Sequence, residues 1–268
     1  MDFSMEKFDI IIEGGQSNAS GSGKGPVSTE YVKDLDILYL VQDFTSEEGI
    51  LNGIWKIILN YENKPLHIDV ADERVNAEGK LGDFALTFSK KYKESGLLKK
   101  GRKLLIVRAG VGGTGFVRKY WGPNDEVYLK MLEMIDYALS LNKENRIVAF
   151  LWHQGEHDAW EGNTPENYAS QLRNLIDSVK ARYSVPNLPF VSGDFAREWK
   201  AENIEKCAPI IEVIKRVTAD VGGRFVETDD LTTNNEVLGN GDGIHFSRES
   251  LHILGKRYFD AFFDIISG

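Results

Sequence analysis

Phe8-Asp9-Ile10-Ile11-Ile12-Glu13-Gly14-Gly15-Gln16-Ser17-Asn18 is the stretch on which the reading of the fold turns. Its first half, Phe8 to Ile12, is a short, mostly apolar run of the kind that forms a buried strand. Its second half opens a segment rich in Gly and Ser that continues to Gly25. A buried strand that ends in glycine and small polar residues is the unit from which open parallel sheets are built, with their chemistry beyond the carboxyl ends of the strands.

Outward from this stretch the same alternation repeats. Ile37 to Val41 reads as a second strand. Ile54–Tyr61 and Leu66–Val70 flank Asn63-Lys64-Pro65 and read as a small hairpin insertion over residues 54–70. Leu81 to Lys93 has helical spacing and is closed by Gly96. Leu104 to Arg108 is a buried strand. Glu126 to Leu141 is a helix, with Val127, Leu129, Met131, Leu132, Ile135 and Leu139 on its apolar face. Ile147 to Trp152 is a strand. Thr164-Pro165-Glu166 opens a helix to about Arg182, with Thr as cap and Pro in the first turn. Pro189–Ser192 and Arg224–Glu227 are strands, and Ile204–Val217 and Ser247–Ile266 are helices. Strand–helix alternation of this kind predicts an α/β sandwich, a mainly parallel sheet covered by helices on both faces. No repeat or low-complexity tract divides the chain, so residues 1–268 read as one domain.

Composition narrows the function classes. The chain is 42% hydrophobic and 27% charged, which suffices for a sizeable core, and its formal net charge is -9. An acidic surface repels phosphate backbones and anionic lipid, so neither nucleic acid nor membrane is an expected partner. No apolar run approaches the roughly 20 residues of a membrane span. The N-terminus lacks the basic, apolar and small-residue regions of a secretory signal, so the expected location is cytoplasmic. The single cysteine, Cys207, permits no internal disulfide and reads as a packing thiol.

Four segments carry the chemistry. The first strand leads to Gln16-Ser17-Asn18, the 104–108 strand to Gly110-Val111-Gly112-Gly113-Thr114-Gly115, and the 147–152 strand to His153-Gln154-Gly155-Glu156-His157. The fourth is Asp242-Gly243-Ile244-His245, ahead of the last helix. Acyl transfer needs a nucleophile, a base, an orienter for the base and donors for the oxyanion. Ser17, in a glycine-flanked turn, fits the first. His245 fits the second, since Asp-x-x-His lets one loop place a carboxylate beside the imidazole. Amides of Gly112 or Gly113 and the side-chain amide of Gln154 fit the oxyanion donors, and Glu156 competes with Asp242 as orienter.

Other patterns fail on context. Gly110, Gly112 and Gly115 match a dinucleotide fingerprint, but the next helix begins about ten residues later and no acidic residue ends the next strand. Gly21-Ser22-Gly23-Lys24 lacks the flanking residues of a phosphate-binding loop. His153 and His157 have helical ligand spacing, yet Gly155 and the strand end between them argue against a metal site. No metal and no cofactor is expected.

Taken together, Gly15-Gln16-Ser17-Asn18, Gly112-Gly113-Thr114, Trp152-His153-Gln154-Gly155-Glu156 and Asp242-Gly243-Ile244-His245-Phe246 resemble the SGNH hydrolase superfamily. The resemblance is to its branch of sialate O-acetylesterase-like and acetylxylan esterase-like carbohydrate esterases. It implies a flavodoxin-like three-layer sandwich and a serine esterase acting on a small acetylated carbohydrate without a cofactor. It implies Ser17 as nucleophile, His245 as base, either Asp242 or Glu156 as third member, and Ser17, Gly112 or Gly113, and Gln154 around the oxyanion. Ala19 stands where the family often has Met, and His157 where it often has Ser, which bears on substrate preference. Gln16, Asn18, Trp121 and Trp160, with Trp55, are the candidate substrate contacts. An esterase of non-carbohydrate short-chain or lipid esters, and a non-catalytic sugar-binding protein, are the rival readings.

Overall fold

The structure is a computed structural model that describes residues 3–268. In chain order its elements are β1 (Phe8–Gly15), β2 (Ile37–Gln42), β3 (Thr45–Leu51), β4 (Ile54–Asn60), β5 (Leu66–Val70), β6 (Arg74–Asn76), β7 (Gly79–Leu81) and α1 (Phe84–Glu94). There follow β8 (Lys103–Arg108), α2 (Glu126–Ser140), β9 (Arg146–His153), α3 (Glu156–Trp160), α4 (Pro165–Arg182) and β10 (Phe190–Gly193). The chain closes with α5 (Arg197–Glu202), α6 (Ile204–Asp220), β11 (Arg224–Val226), α7 (Asn234–Leu238) and α8 (Arg248–Ser267).

The main sheet has the order β11-β10-β9-β1-β8-β2-β5, parallel throughout except for β5, which pairs antiparallel with β2 at the edge. The residues of β1 are all buried and alternate between two cores. Ile10 and Ile12 face one core, with the apolar stripes of α2, α4 and α6. Ile11 faces the other, with those of α1 and α8. This is the expected three-layer α/β/α arrangement. Parallel strands buried on both faces need apolar side chains on both sides, which is why β1 and β8 read as near-continuous apolar runs.

The order in which the chain adds parallel strands switches sides at β1: β8 and β2 lie on one side of it, β9, β10 and β11 on the other. Glu13 pairs with Arg108 and Gly15 with His153, so the loops after β1, β8 and β9 leave the sheet at one level. That crevice is where an open α/β sheet places its ligand.

The hairpin expectation needs correction. Ile54–Asn60 pairs with Thr45–Leu51, not with Leu66–Val70, and the latter joins the main sheet as β5. The turn is Asn52-Gly53, both at positive φ (53° and 78°), the pair that best suits a two-residue hairpin loop. Asn63-Lys64-Pro65 instead links the hairpin to the sheet edge. The polar run Thr45-Ser46-Glu47-Glu48 hid the first strand, because it is almost wholly exposed and lacks a core face.

Candidate active site

Ser17 lies just past β1, in a turn that begins at Gly15. Gly15 has φ +132°, and a Cβ there would meet the His153 carbonyl oxygen at 2.1 Å, so β1 and β9 can close at this point only around glycine. The turn is held from beneath. Arg74 donates to the carbonyls of Ser20 and Gly21, at 2.5 Å each, and Arg108 donates to that of Ser20. Glu13, fully buried under this turn, has its carboxyl pushed well above the usual range by burial and by the neighbouring Asp83.

Ser17, Gly112, Gly113, Glu156, Trp160 and His245 line one cavity of about 590 Å³, together with Gln16, Ser22, His157, Trp199 and Ile244. A Cβ on Gly112 would sit 3.5 Å from Ser17 Cβ, so this glycine backs directly onto the serine. Among the described residues the amides of Ser17, Gly112 and Gly113 donate to no protein acceptor. Loose donors beside a hydroxyl at a strand end are what a developing oxyanion requires.

His245 and Asp242 meet as the spacing predicts: Nδ1 to Oδ1 is 2.7 Å. The other carboxylate oxygen of Asp242 accepts from Asn234 Nδ2 at 2.9 Å. Partial burial works to raise the Asp242 carboxyl, but hydrogen bonds from His245 and Asn234 outweigh it and hold it below the ordinary value. With Nδ1 engaged, Nε2 is the nitrogen left for the cavity. The Ser17 hydroxyl and the imidazole share the cavity without a direct hydrogen bond, a looseness common before substrate closes a site.

Of Asp242 and Glu156, Asp242 is the one bonded to His245 among the described residues. Glu156 Oε1 accepts from Asn18 Nδ2 at 3.1 Å, and its Oε2 has no partner among the described residues. Burial raises its carboxyl to about 7. Neighbouring His153 is also buried, with Nδ1 against the Tyr258 hydroxyl at 2.9 Å, and burial lowers it to about 3.

Three expected roles do not fit. Asn18 is fully buried and faces the protein: Nδ2 donates to the Ile244 carbonyl at 3.2 Å, and Oδ1 accepts from Phe246 N–H at 3.2 Å. It therefore clamps the serine turn to both neighbours of His245 rather than touching substrate. Gln154 lies behind the cavity wall, its amide nitrogen donating to Asp158 at 2.6 Å and to the Thr114 carbonyl at 3.3 Å and its Oε1 accepting from Tyr168 at 3.0 Å, so both its donors are taken within the protein. Trp121 is buried against Trp152 and donates to Thr114 Oγ1 at 2.9 Å, so it offers no stacking face. Trp160, 54% exposed, keeps its place at the cavity, and Trp55, 53% exposed, lines an adjoining chamber. Reading the sequence missed Asn234 and Trp199. Nothing local marks the asparagine in Thr232-Thr233-Asn234-Asn235, because its role arises only when α7 packs beside the histidine loop.

The profile of the carbohydrate esterases described as sialic acid-specific acetylesterases matches residues 7–264. The chain belongs to this family. It is accordingly a carbohydrate O-acetylesterase. No curated protein matches it in sequence. Among solved structures it is similar to NanS (TM-score 0.70, 17% identity, 98% of each chain covered). It is similar too to a protein of Arabidopsis thaliana (TM-score 0.65, 17% identity, covering 96% of this chain and 98% of that one). A carbohydrate acetylesterase from Xanthomonas citri matches with TM-score 0.64 and 17% identity, over 97% of this family member but 56% of its own length. At these identities the likeness is one of fold.

Proposed function

We propose that this esterase removes O-acetyl groups from neutral sugars through an acyl-enzyme on Ser17. The observation that carries the reading is the shared cavity, lined by Ser17, two unbonded glycine amides and a His245 already bonded to Asp242. His245 Nε2 takes the proton from the Ser17 hydroxyl as its oxygen attacks the acetyl carbonyl. The oxyanion forms against the amides of Ser17 and Gly112 or Gly113, where each donor is worth about 10²–10³ in rate. The sugar hydroxyl leaves, taking the proton from His245. Water, activated by the same imidazole, then releases acetate and restores the serine.

The side-chain donor that the sequence assigned to Gln154 passes to Gln16. Gln16 Oε1 accepts from the His157 N–H at 3.2 Å and from Gln154 Nε2 at 3.4 Å. Both contacts engage its oxygen, which supports a role for its nitrogen in the cavity that Gln16 lines.

The preference for a neutral sugar follows from the walls. No Lys or Arg is among the residues lining the cavity. Lys206 Nζ lies 4.0 Å from the centre of the Trp160 ring and covers one of its faces, which leaves the other face and Trp199 as apolar wall. A sugar carboxylate would find no Lys or Arg among the lining residues, in a chain of net charge -9. Two measurements test this reading. A fluorophosphonate should label Ser17 and no other residue, and label elsewhere would remove Ser17 as nucleophile. Acetate release should favour an acetylated methyl xyloside over O-acetylated N-acetylneuraminic acid by about tenfold or more, the equivalent of one unpaired charge contact. The reverse order would defeat the neutral-sugar reading.

A further inference from the structure

The β3–β4 hairpin lies over the glycine loop that follows β8. Tyr120 pins it, its hydroxyl accepting from the Ile57 N–H at 2.6 Å and donating to the Ile57 carbonyl at 3.2 Å. Gly113 has φ +72°, and a Cβ there would meet Ile57 Cδ1 at 2.9 Å, so the hairpin rests directly on the glycine loop. Under it opens a second chamber of about 200 Å³, walled by Glu48, Trp55, Arg118 and Glu161. Gly113 and His157 line both this chamber and the cavity that holds Ser17. The two spaces therefore adjoin at these two residues.

The chamber's chemistry is that of a sugar site. Trp55 offers a half-exposed indole face on which the C–H face of a pyranose can pack. Arg118 crosses the rim, donating to the Trp55 carbonyl and to Glu161 at 2.5 Å, which fixes a guanidinium and a carboxylate where ring hydroxyls would meet them. The charges balance, Glu48 and Glu161 against Lys56 and Arg118, so an uncharged ring fits better than an ionised one. His157 Nε2 is buried at the junction with no partner among the described residues. A buried ring nitrogen without a partner is costly, and a hydroxyl of a bound sugar would satisfy it.

We propose that this chamber is a second sugar subsite, so that the substrate is an acetylated oligosaccharide. The acetylated ring lies over Ser17 and its neighbour in the chain packs on Trp55. The proposal rests on the carbohydrate reading of the main cavity.

The test compares kcat/KM for fully acetylated methyl xyloside with xylotriose, and methyl glucoside with cellobiose, in the wild type, Trp55→Ala and Trp55→Phe. In at least one pair the wild type should favour the longer sugar by about tenfold, the scale of one aromatic contact. Trp55→Ala should remove that preference by raising KM for the longer sugars more than for the methyl glycosides, at the wild-type melting temperature. Trp55→Phe should restore most of the preference. No length preference in either pair, or equal loss on short and long substrates in Trp55→Ala, overturns the subsite alone. Hydrolysis of an aryl acetate with every sugar acetate left intact overturns the carbohydrate reading and the subsite with it.

Discussion

Asp242 has both oxygens engaged, one by His245 and one by Asn234, and this fixes the imidazole with Nε2 toward the cavity. Asp242→Asn would keep the shape but lose the acceptor that sets the tautomer. We expect a fall of about 10⁴ in kcat with the fold intact, measured by acetate release and a thermal melt. Ser17→Ala should abolish turnover at unchanged melting temperature. Gln16→Ala should lower kcat by about 10²–10³ with little change in KM, and an unchanged kcat would remove its amide from the oxyanion site. Glu156 tests differently. Its carboxyl stands at about 7 in the folded chain, above the ordinary value of 4.5, because burial favours the neutral form. The stability that goes with the neutral form is fully present below the unfolded value and is lost as pH rises through about 7. Glu156→Gln cannot ionise, so its melting temperature should not show that decline, a difference of up to about 3 kcal/mol at roughly 1.4 per pK unit. A variant that tracks the wild type across this pH range would contradict a buried, neutral Glu156.

At the scale of elements, the approach of β1 to β9 hangs on Gly15. Gly15→Ala should leave little folded protein, since the added carbon would overlap a strand carbonyl and the backbone angle suits glycine alone. The loops after β1, β8 and β9 and the histidine loop were all legible in the sequence, because glycine and polar residues punctuate apolar runs at each of them. The main helices were legible too, to within a few residues at most ends. The hairpin was misread because Pro65 drew the turn to the wrong place and Asn52-Gly53, the better signal, followed a strand with no apolar face. The short helices α3, α5 and α7 are five or six residues long, too short to show a period. Asn18, Gln154 and Trp121 were assigned to substrate or oxyanion because polarity and aromaticity are visible in a sequence, whereas the direction a side chain faces is decided by packing from distant segments. Asn18 meets Phe246 across 228 positions.

For the molecule as a whole, one seven-stranded sheet carries the site's loops after β1, β8 and β9, while the histidine loop joins α7 to α8. We expect a single unfolding transition with calorimetric and van't Hoff enthalpies equal, as for one cooperative unit. Two separated transitions would mean that the site spans independently stable parts. The net charge of -9 should matter to discrimination between substrates at a distance. Raising salt should narrow the gap between neutral and carboxylated acetyl sugars, because the Debye length shrinks from about 10 Å at 0.1 M to about 3 Å at 1 M. A gap that salt does not move would locate the discrimination in the walls of the cavity.

The Asn18 clamp gives the protein a built-in gauge. The Phe246 amide hydrogen is held by a side chain that sits next to the nucleophile in sequence, so its exchange with deuterium can occur only when the two loops part. Followed residue by residue, that one amide would report how often an unliganded molecule loses its assembled centre, with no need for a substrate. Comparison with amides in the middle of β1 would separate such local opening from global unfolding.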